Sequence, residues 1–240
     1  MTTREEMVDR VRKALGKSNS GSVLTPIPPL DLSGVMPHLA PEDYLAKFEV
    51  EWEKVGGIAY RVGSMDELEA VFEKILALAE TQAVVLSGNP LLSELGIAER
   101  LTALDKFVTS WASGPGGTGM NSLADFNKAS FEAGSGITGV DFVLAESGTL
   151  VLSSATEGVQ VASLAPPIHV ALYRRSQVVG SLDEVLAKLP ISNSQNRHTG
   201  GRSVVFVTGT SRTADIEQIL IHGVHGPREA HAILVEDSCR

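Results

Sequence analysis

Residues 58–87, IAYRVGSMDELEAVFEKILALAETQAVVLS, contain the pattern that decides the fold. The first five are an apolar run of strand length. Ser64 and Glu67 then have the spacing of a capping box, in which the hydroxyl and the carboxylate each accept a hydrogen bond from a free amide at a helix start. Apolar residues at helical spacing continue to about Glu80, and 82–87 is a buried strand. A strand, an amphipathic helix and a second strand in this order are typical of a parallel sheet.

The same alternation extends toward both ends of the chain. We predict further helices over 42–54, 90–104, 121–133 and 212–221, and from a second capping box at Ser181 and Glu184 to Leu189. We predict further strands over 106–111, 141–145, 148–153, 169–173, 177–179, 203–207 and 230–235, of which the second and third form a hairpin or one kinked strand. The close succession of strands over 141–179 indicates some antiparallel pairing. The predicted fold is therefore α/β, with a mixed, mostly parallel sheet flanked by helices.

The first 40 residues differ in composition from the rest. Residues 3–16 have the apolar spacing of a short amphipathic helix, and 17–41 carry five prolines, which a helix or a central strand does not tolerate. We predict an N-terminal helix and proline-rich arm over 1–40, followed by a single α/β domain over 41–240. Because such arms often reach a neighbouring subunit, a homo-oligomer is an open expectation.

Composition excludes several classes of protein. Of the 240 residues 43% are hydrophobic, which is enough for a sizeable core. The net charge of −9, without a basic run, argues against a nucleic-acid partner. No apolar run reaches the ~18 residues of a membrane span, and no signal peptide precedes the domain, so we expect a cytoplasmic protein. The single cysteine, Cys239, cannot hold an iron–sulfur cluster, and we expect it in a frayed tail.

The first candidate site is the segment 137–150, ITGVDFVLAESGTL. Glu146 ends an apolar strand and is followed by Ser147 and a glycine, at a position where open α/β sheets place ligand-contacting groups. Glu146 is the candidate nucleophile or general base, with Ser147 and Thr149 as ligand contacts. The competing interpretation is that these side chains only make turn hydrogen bonds between two strands, and the bare residues favour it.

The second candidate site is the turn after the predicted strand 203–207. Free amides at the start of the predicted helix 212–221 would bind an anion, and Arg212 in its first turn would add a bidentate contact. The competing interpretation assigns the hydroxyls to helix capping. The predicted ligand-binding residues of this segment are Gly209, Thr210, Ser211, Arg212, Thr213 and Asp215.

Two weaker patterns lie nearby. His222 and His225 have a spacing that could bind zinc, but the intervening glycine reads first as a helix end, so we expect no metal and no cofactor. His225 and Arg228 stay candidates for anion binding. The glycine-rich stretch 113–119 lacks the lysine and hydroxyl ending of a phosphate-binding loop, and a plain surface loop is the favoured interpretation.

The C-terminal half resembles a known family. The stretches ITGVDFVLAESGTLVL, APPIHVAL, TSRTADIEQIL and GVHGPREAHAILV are similar to the lactate utilization protein C (LutC/YkgG) family, whose domain is called LUD. The resemblance runs from Gly136 to Val235, and Thr210 departs from it where a proline is expected. It implies a fold similar to the NagB/RpiA/CoA-transferase group. It also implies a role beside two iron–sulfur partner proteins that oxidise L-lactate to pyruvate.

Three functional hypotheses follow. The first is a subunit without a cluster in an L-lactate utilization system, which binds a small anionic ligand and works with iron–sulfur lactate utilization proteins. The second is a stand-alone enzyme with CoA-transferase-like or sugar-phosphate-isomerase-like chemistry that uses Glu146, although fold analogy is a weak warrant for activity. The third is a metal-dependent hydrolase that uses the histidines of 222–231.

Overall fold

The computed structural model describes residues 3–17, 39–111, 119–120, 122–189, 203–213 and 221–239. By its internal contacts the chain divides into two units, Met1–His38 and Leu39–Arg240. The described part of the first unit is the helix α1 (Arg4–Lys17), and its side chains are exposed as far as they are described. Among the described residues, no helix is both long enough and apolar enough to cross a membrane.

The second unit contains three sheets and seven helices within the described residues. Its helices are α2 (Tyr44–Lys54), α3 (Met65–Leu76), α4 (Pro90–Glu94), α5 (Ile97–Ala103), α6 (Leu123–Glu132), α7 (Ser154–Glu157) and α8 (Leu182–Lys188). Its strands are β1 (Ile58–Val62), β2 (Ala83–Leu86), β3 (Phe107–Ser110), β4 (Ser135–Thr138), β5 (Phe142–Leu144), β6 (Thr149–Ser153), β7 (Ile168–Tyr173), β8 (Val178–Val179), β9 (Val204–Val207), β10 (Arg212–Thr213), β11 (Ile221–His222) and β12 (Glu229–Val235). Single 3₁₀ turns occupy Pro41–Asp43, Gln160–Ser163 and Arg175–Gln177.

The main sheet has six parallel strands in the order β1-β12-β7-β4-β2-β3. A second sheet, β8-β5-β6-β9, pairs β5 with β6 and β6 with β9 in antiparallel fashion, and β5 with β8 in parallel. The closely spaced strands β5 and β6 therefore form a hairpin. The predicted α/β fold with a mixed, mostly parallel sheet is confirmed.

Each face of the main sheet is covered because its strands are apolar on both sides. One face packs under α3, α4 and α5, where Phe72 and Leu101 meet sheet residues such as Val170. The other face packs under α2 and the second sheet, where Phe48 and Trp52 are fully buried. Full burial of side chains of this size stabilises the fold by about 1.5–3 kcal/mol each.

The capping boxes form with one difference from the expectation. Ser64 Oγ accepts from the amide of Glu67 at 3.2 Å, as predicted. The Glu67 carboxylate accepts instead from the amide of Gly63, one residue before the cap, at 2.7 Å. Ser181 and Glu184 repeat this arrangement, with the glutamate accepting from Gly180. Both carboxylates thus fix the strand-to-helix turn as well as the helix.

Several predicted elements need correction. The helix predicted over 90–104 is two helices, because Gly96 adopts a φ of 60° between α4 and α5. The strand β4 was not predicted. The helix predicted over 212–221 is wrong at both ends, since Arg212–Thr213 pair as an antiparallel ribbon with Ile221–His222. Residues 214–220, most of the glycine-rich stretch 113–119 and the predicted loop 190–202 lie outside the described residues.

The chain end also differs from expectation. Cys239 is not part of a frayed tail but is buried, with 1% of its surface exposed. Its sulfur lies 3.2 Å from the sulfur of Met65 at the start of α3, and burial raises the pKa of the thiol. A buried thiol in an apolar environment behaves as a small core side chain.

Candidate functional site

Glu146 lies in the turn between β5 and β6 and is half-buried. Its Oε1 accepts a hydrogen bond of 2.8 Å from the amide of Leu182, the first residue of α8. A carboxylate at a helix N-terminus satisfies a free amide and interacts favourably with the helix dipole. Glu146 therefore makes a structural hydrogen bond, as the interpretation of this segment as a turn predicts.

A chain of hydroxyl groups joins the first two predicted segments. Ser147 Oγ lies 2.8 Å from Thr149 Oγ1, which lies 2.8 Å from Thr208 Oγ1. The contact arises because β6 and β9 are paired, with Leu150 opposite Val207. The structure thus brings Ser147 and Thr149 to the beginning of the segment that contains Gly209.

The glycines of both segments are contact points for helix α2. Gly148 has a φ of 61°, and a Cβ there would overlap the backbone nitrogen of Trp52 and lie 2.5 Å from the carbonyl carbon of Glu51. Gly209 has a φ of 80°, and a Cβ there would overlap the carbonyl oxygen of Val55 and lie 2.7 Å from its Cβ. Glycine is required at both positions by the conformation and by the close approach of the helix.

Arg212 lies in β10, so its predicted position in the first turn of a helix is wrong. Its side chain is exposed, and Nε donates to Thr210 Oγ1 at 3.2 Å. The guanidinium lies against Gly56, where a Cβ would overlap it, just beyond the end of α2. A positive charge there interacts favourably with the helix C-terminus. Thr213 follows in β10, and Asp215 lies outside the described residues.

Ser211 contacts the loop that contains His225 and Arg228 at the end of the main sheet where its parallel strands begin, here called the amino edge. The amide of Ser211 donates to the carbonyl of Pro227 at 2.9 Å, which ties the second segment to the loop before β12. Gly223 follows β11 with a φ of 78° and is therefore a turn residue, not a helix cap. This loop borders an open cleft of about 650 Å³, here called the amino-edge cleft. Its lining residues are Phe131, Val161, Leu164, Ala165, Pro167, His222, Gly223, Val224, His225, Gly226 and Arg228.

The opposite, carboxyl edge of the main sheet holds a second candidate site. The connections that follow the neighbouring strands β2 and β4 diverge there, because the chain passes from β2 through α4 and α5 to β3 on one side, and from β4 through the second sheet to β7 on the other. Open α/β sheets bind ligands at such a topological switch point. Ser87 and Asn89 follow β2, Gly139 follows β4, and Glu157 at the end of α7 joins them.

Glu157 is fully buried and is held by several donors. Its Oε2 accepts from Ser87 Oγ at 2.5 Å, its Oε1 accepts from the side-chain amide of Asn89, and the backbone of Gly139 also hydrogen-bonds it. Burial, with a smaller contribution from the charge of Asp141, raises the pKa of the Glu157 carboxyl to about 7 against the opposing effect of its hydrogen-bond donors. A carboxyl that titrates near neutral pH suits general acid or base chemistry.

A buried imidazole lies below this site. Thr138, at the end of β4, has its Oγ1 2.9 Å from Nε2 of His169 on β7. His169 is fully buried, which lowers its pKa to about 3, and its Nδ1 has no hydrogen-bond partner within the described part of the chain. The neutral imidazole is therefore the stable form at neutral pH.

Sequence reasoning missed Glu157, Ser87, Asn89 and His169. One signal was available, since the polar residues 87–89 directly follow a buried strand. For Glu157 the local sequence offers no such signal. Within the described ranges, no three histidine, cysteine or acidic side chains are grouped closely enough to hold a metal ion.

Comparisons with known proteins agree with this fold. The sequence model of the LUD domain matches residues 45–235. Relatives include the uncharacterized protein YkgG of Escherichia coli K12, 33% identical over 65% of this chain and 64% of that protein. Lactate utilization protein C of Halalkalibacterium halodurans is 30% identical over 72% and 71% of the two chains. Lactate utilization protein C of Bacillus subtilis is 37% identical over 46% and 45%. The aligned region thus covers less than two thirds of the first and third of these relatives.

A solved structure shows the same architecture. The crystal structure of a DUF162 family protein from Deinococcus radiodurans superposes with a TM-score of 0.55 at 21% sequence identity, over 82% of this chain and 99% of that chain. At this identity the similarity concerns the fold alone. The family match extends from α2 to the end of β12 and includes the three sheets of the described residues and both candidate sites. The chain therefore belongs to the LUD domain family.

Proposed function

We propose that the chain is a subunit of a cytoplasmic L-lactate utilization system that oxidises L-lactate to pyruvate together with iron–sulfur partner proteins. Support comes from the family and from the relatives named lactate utilization protein C. Iron–sulfur clusters need several cysteine thiolates, whereas this sequence has one cysteine, and it is buried. The clusters of such a system would therefore belong to its partners.

We further propose that this subunit binds a small anionic ligand through His225 and Arg228, with Ser211 beside them. The observation that carries this proposal is the set of basic side chains that line the amino-edge cleft. The chain has a net charge of −9, yet among the described residues the ionisable side chains that line the cleft are those of His222, His225 and Arg228, and none of these is acidic. In this proposal Gly209, Thr210 and Arg212 do not bind the ligand but hold the segment after β9 against the end of α2. Thr213 follows them in the strand β10.

Deletion of the gene should abolish growth on L-lactate as sole carbon source and leave growth on pyruvate unchanged. The block should lie at lactate oxidation, so pyruvate bypasses it. The measurement is the growth rate of the deletion strain on each carbon source, with the gene restored on a plasmid as control. Normal growth of the deletion strain on L-lactate, in a genome without a paralogue, would refute the proposed role.

A second candidate function is a stand-alone enzyme that moves protons with a carboxyl group. The observation that favours it is the carboxyl edge, where buried Glu157 has a pKa of about 7 at the switch point between β2 and β4. The alternative based on Glu146 has weaker support, because that carboxylate already accepts from the amide of Leu182.

Two isosteric substitutions test which of the two carboxyl groups, Glu146 or Glu157, has a catalytic role. Glu146→Gln should retain growth on L-lactate, because an amide oxygen still accepts from Leu182. Glu157→Gln should abolish growth if Glu157 transfers protons, since the amide cannot. Each variant is compared at equal protein level in the deletion strain. Loss of growth with Glu146→Gln alone would return the catalytic role to Glu146.

A further inference from the structure

The amino-edge cleft has two chemically different walls. One wall is apolar and comes from the end of α6 and the turn before β7, with Phe131 74% exposed and Leu164 45% exposed. The other wall is the loop 222–228, which contributes two imidazoles and a guanidinium. A cleft lined by an exposed aromatic ring and by basic side chains favours the binding of an amphipathic anion.

The cationic group is available for a ligand. Arg228 Nη1 makes an ion pair of 3.1 Å with Glu80, whose side chain is 74% exposed. Exposed ion pairs contribute little free energy, so an anion can replace Glu80 at small cost. A guanidinium also binds carboxylate and phosphate groups in a bidentate manner.

The cleft is larger than a three-carbon acid requires. Its volume of about 650 Å³ lies in the range of pockets that enclose ligands of drug or cofactor size, about 300–1,000 Å³. Lactate or pyruvate would reach the basic wall and leave the apolar wall in contact with water. The volume and the apolar wall together therefore indicate a ligand that has an apolar portion as well as a charged group.

We propose that this cleft binds an anion joined to a flat apolar body of cofactor size, with the anionic group against Arg228 and the body against Phe131. The inference rests on the proposed function in that it assigns a ligand class to the same residues. Carboxylate, phosphate and sulfonate groups share the chemistry that Arg228 recognises.

The test uses fluorescent probes on the purified full chain. The first probe, 8-anilinonaphthalene-1-sulfonate, has a charge and a flat body. The second, N-phenyl-1-naphthylamine, has the body alone, and L-lactate and inorganic phosphate have a charge alone. We expect saturable binding of the sulfonate at one site, weaker binding of the neutral probe, and displacement by L-lactate or phosphate only at much higher concentration.

Matched variants locate the site. Arg228→Gln should weaken binding of the sulfonate about tenfold and leave the neutral probe unchanged, since it removes one charge-assisted contact. Phe131→Ala should weaken both probes roughly fivefold. The controls are Arg175→Gln, also a surface arginine paired with a glutamate, and Phe107→Ala, which is 75% exposed elsewhere. Both controls should bind as the parent chain does.

Two outcomes overturn the inference. Equal effects of Phe107→Ala and Phe131→Ala would show general adsorption to apolar surface. Equal binding of the two probes to the parent chain would show that charge has no part in recognition. Either result leaves the role in lactate growth standing, whereas normal growth of the deletion strain refutes that role without affecting probe binding. The two proposals therefore fail separately.

Discussion

Replacement of Gly148 with alanine should lower the free energy of unfolding by about 3 kcal/mol or more, and the same replacement at Gly96 by only about 1 kcal/mol. Both glycines have nearly the same left-handed backbone, with φ of 61° and 60°. A side chain in that conformation costs about 1–2 kcal/mol. At Gly148 a Cβ would also overlap the backbone of α2 at Trp52, and such overpacking typically costs a further 1–3 kcal/mol.

Gly96 is a matched control because its new methyl group would meet only the end of the flexible Glu99 side chain, at 3.6 Å. The measurement is urea unfolding of both variants and the parent chain by circular dichroism. The difference between the variants isolates the contact with α2 from the backbone strain. Equal loss of stability would contradict the packing role of Gly148 and favour its interpretation as a flexible turn beside Glu146.

The repeated β-α-β pattern could be predicted because its signals are local. Strand runs such as 58–62 and 82–87 and the serines that begin α3 and α8 determine structure through neighbours in sequence. The parallel sheet follows from their alternation. The order of the strands in the sheet does not follow from this alternation, since three strands separate β1 from β2.

The strand β4 shows why some central elements escape prediction. Its four residues, SGIT, include a serine and a glycine that have low strand preference. The glycine is needed because a Cβ at Gly136 would lie 2.9 Å from the carbonyl carbon of Ala162 and overlap its oxygen. That neighbour is 26 residues away in sequence, so local preference gives no indication of it.

In the segment after β9, the local sequence predicts a helix that the tertiary structure does not form at its two ends. Its apolar spacing favours a helix, but Arg212 and Thr213 pair with His222 and Ile221, a contact that depends on tertiary structure. The candidate site therefore changed character. The amide of Ser211 contacts the loop before β12 that contains Arg228, whereas the helix N-terminus that was expected to bind the anion does not begin at Arg212.

Substitution of Glu157 with glutamine should change how stability depends on pH. The folded pKa of Glu157, about 7, is raised above its ordinary value of 4.5. A raised carboxyl pKa means that folding favours the protonated form. Its contribution to stability is therefore complete below about pH 4.5 and is lost as the pH rises through about 7. The shift corresponds to about 3 kcal/mol, at 1.36 kcal/mol for each pKa unit.

The quantity to measure is the difference in unfolding free energy between Glu157→Gln and the parent chain, from pH 4.5 to 8. This difference should move by about 3 kcal/mol in favour of the glutamine variant across the range. The lowered pKa of His169 and of His231 makes both chains less stable as the pH falls below about 6.5, and this loss cancels in the difference. Asp141, whose pKa burial raises, is likewise present in both chains.

A second variant tests the cause of the shift. Ser87→Ala removes the hydroxyl that donates to Glu157 at 2.5 Å and that favours the ionised carboxylate. The pKa of Glu157 should therefore rise further, so the loss of stability should begin near pH 4.5 as in the parent chain but continue to higher pH and become larger in total. A pH profile of Glu157→Gln parallel to that of the parent chain would show that Glu157 is ionised in an ordinary environment. The carboxyl edge of the sheet would then lose its candidate acid, and the amino-edge cleft would be left as the site that the geometry supports.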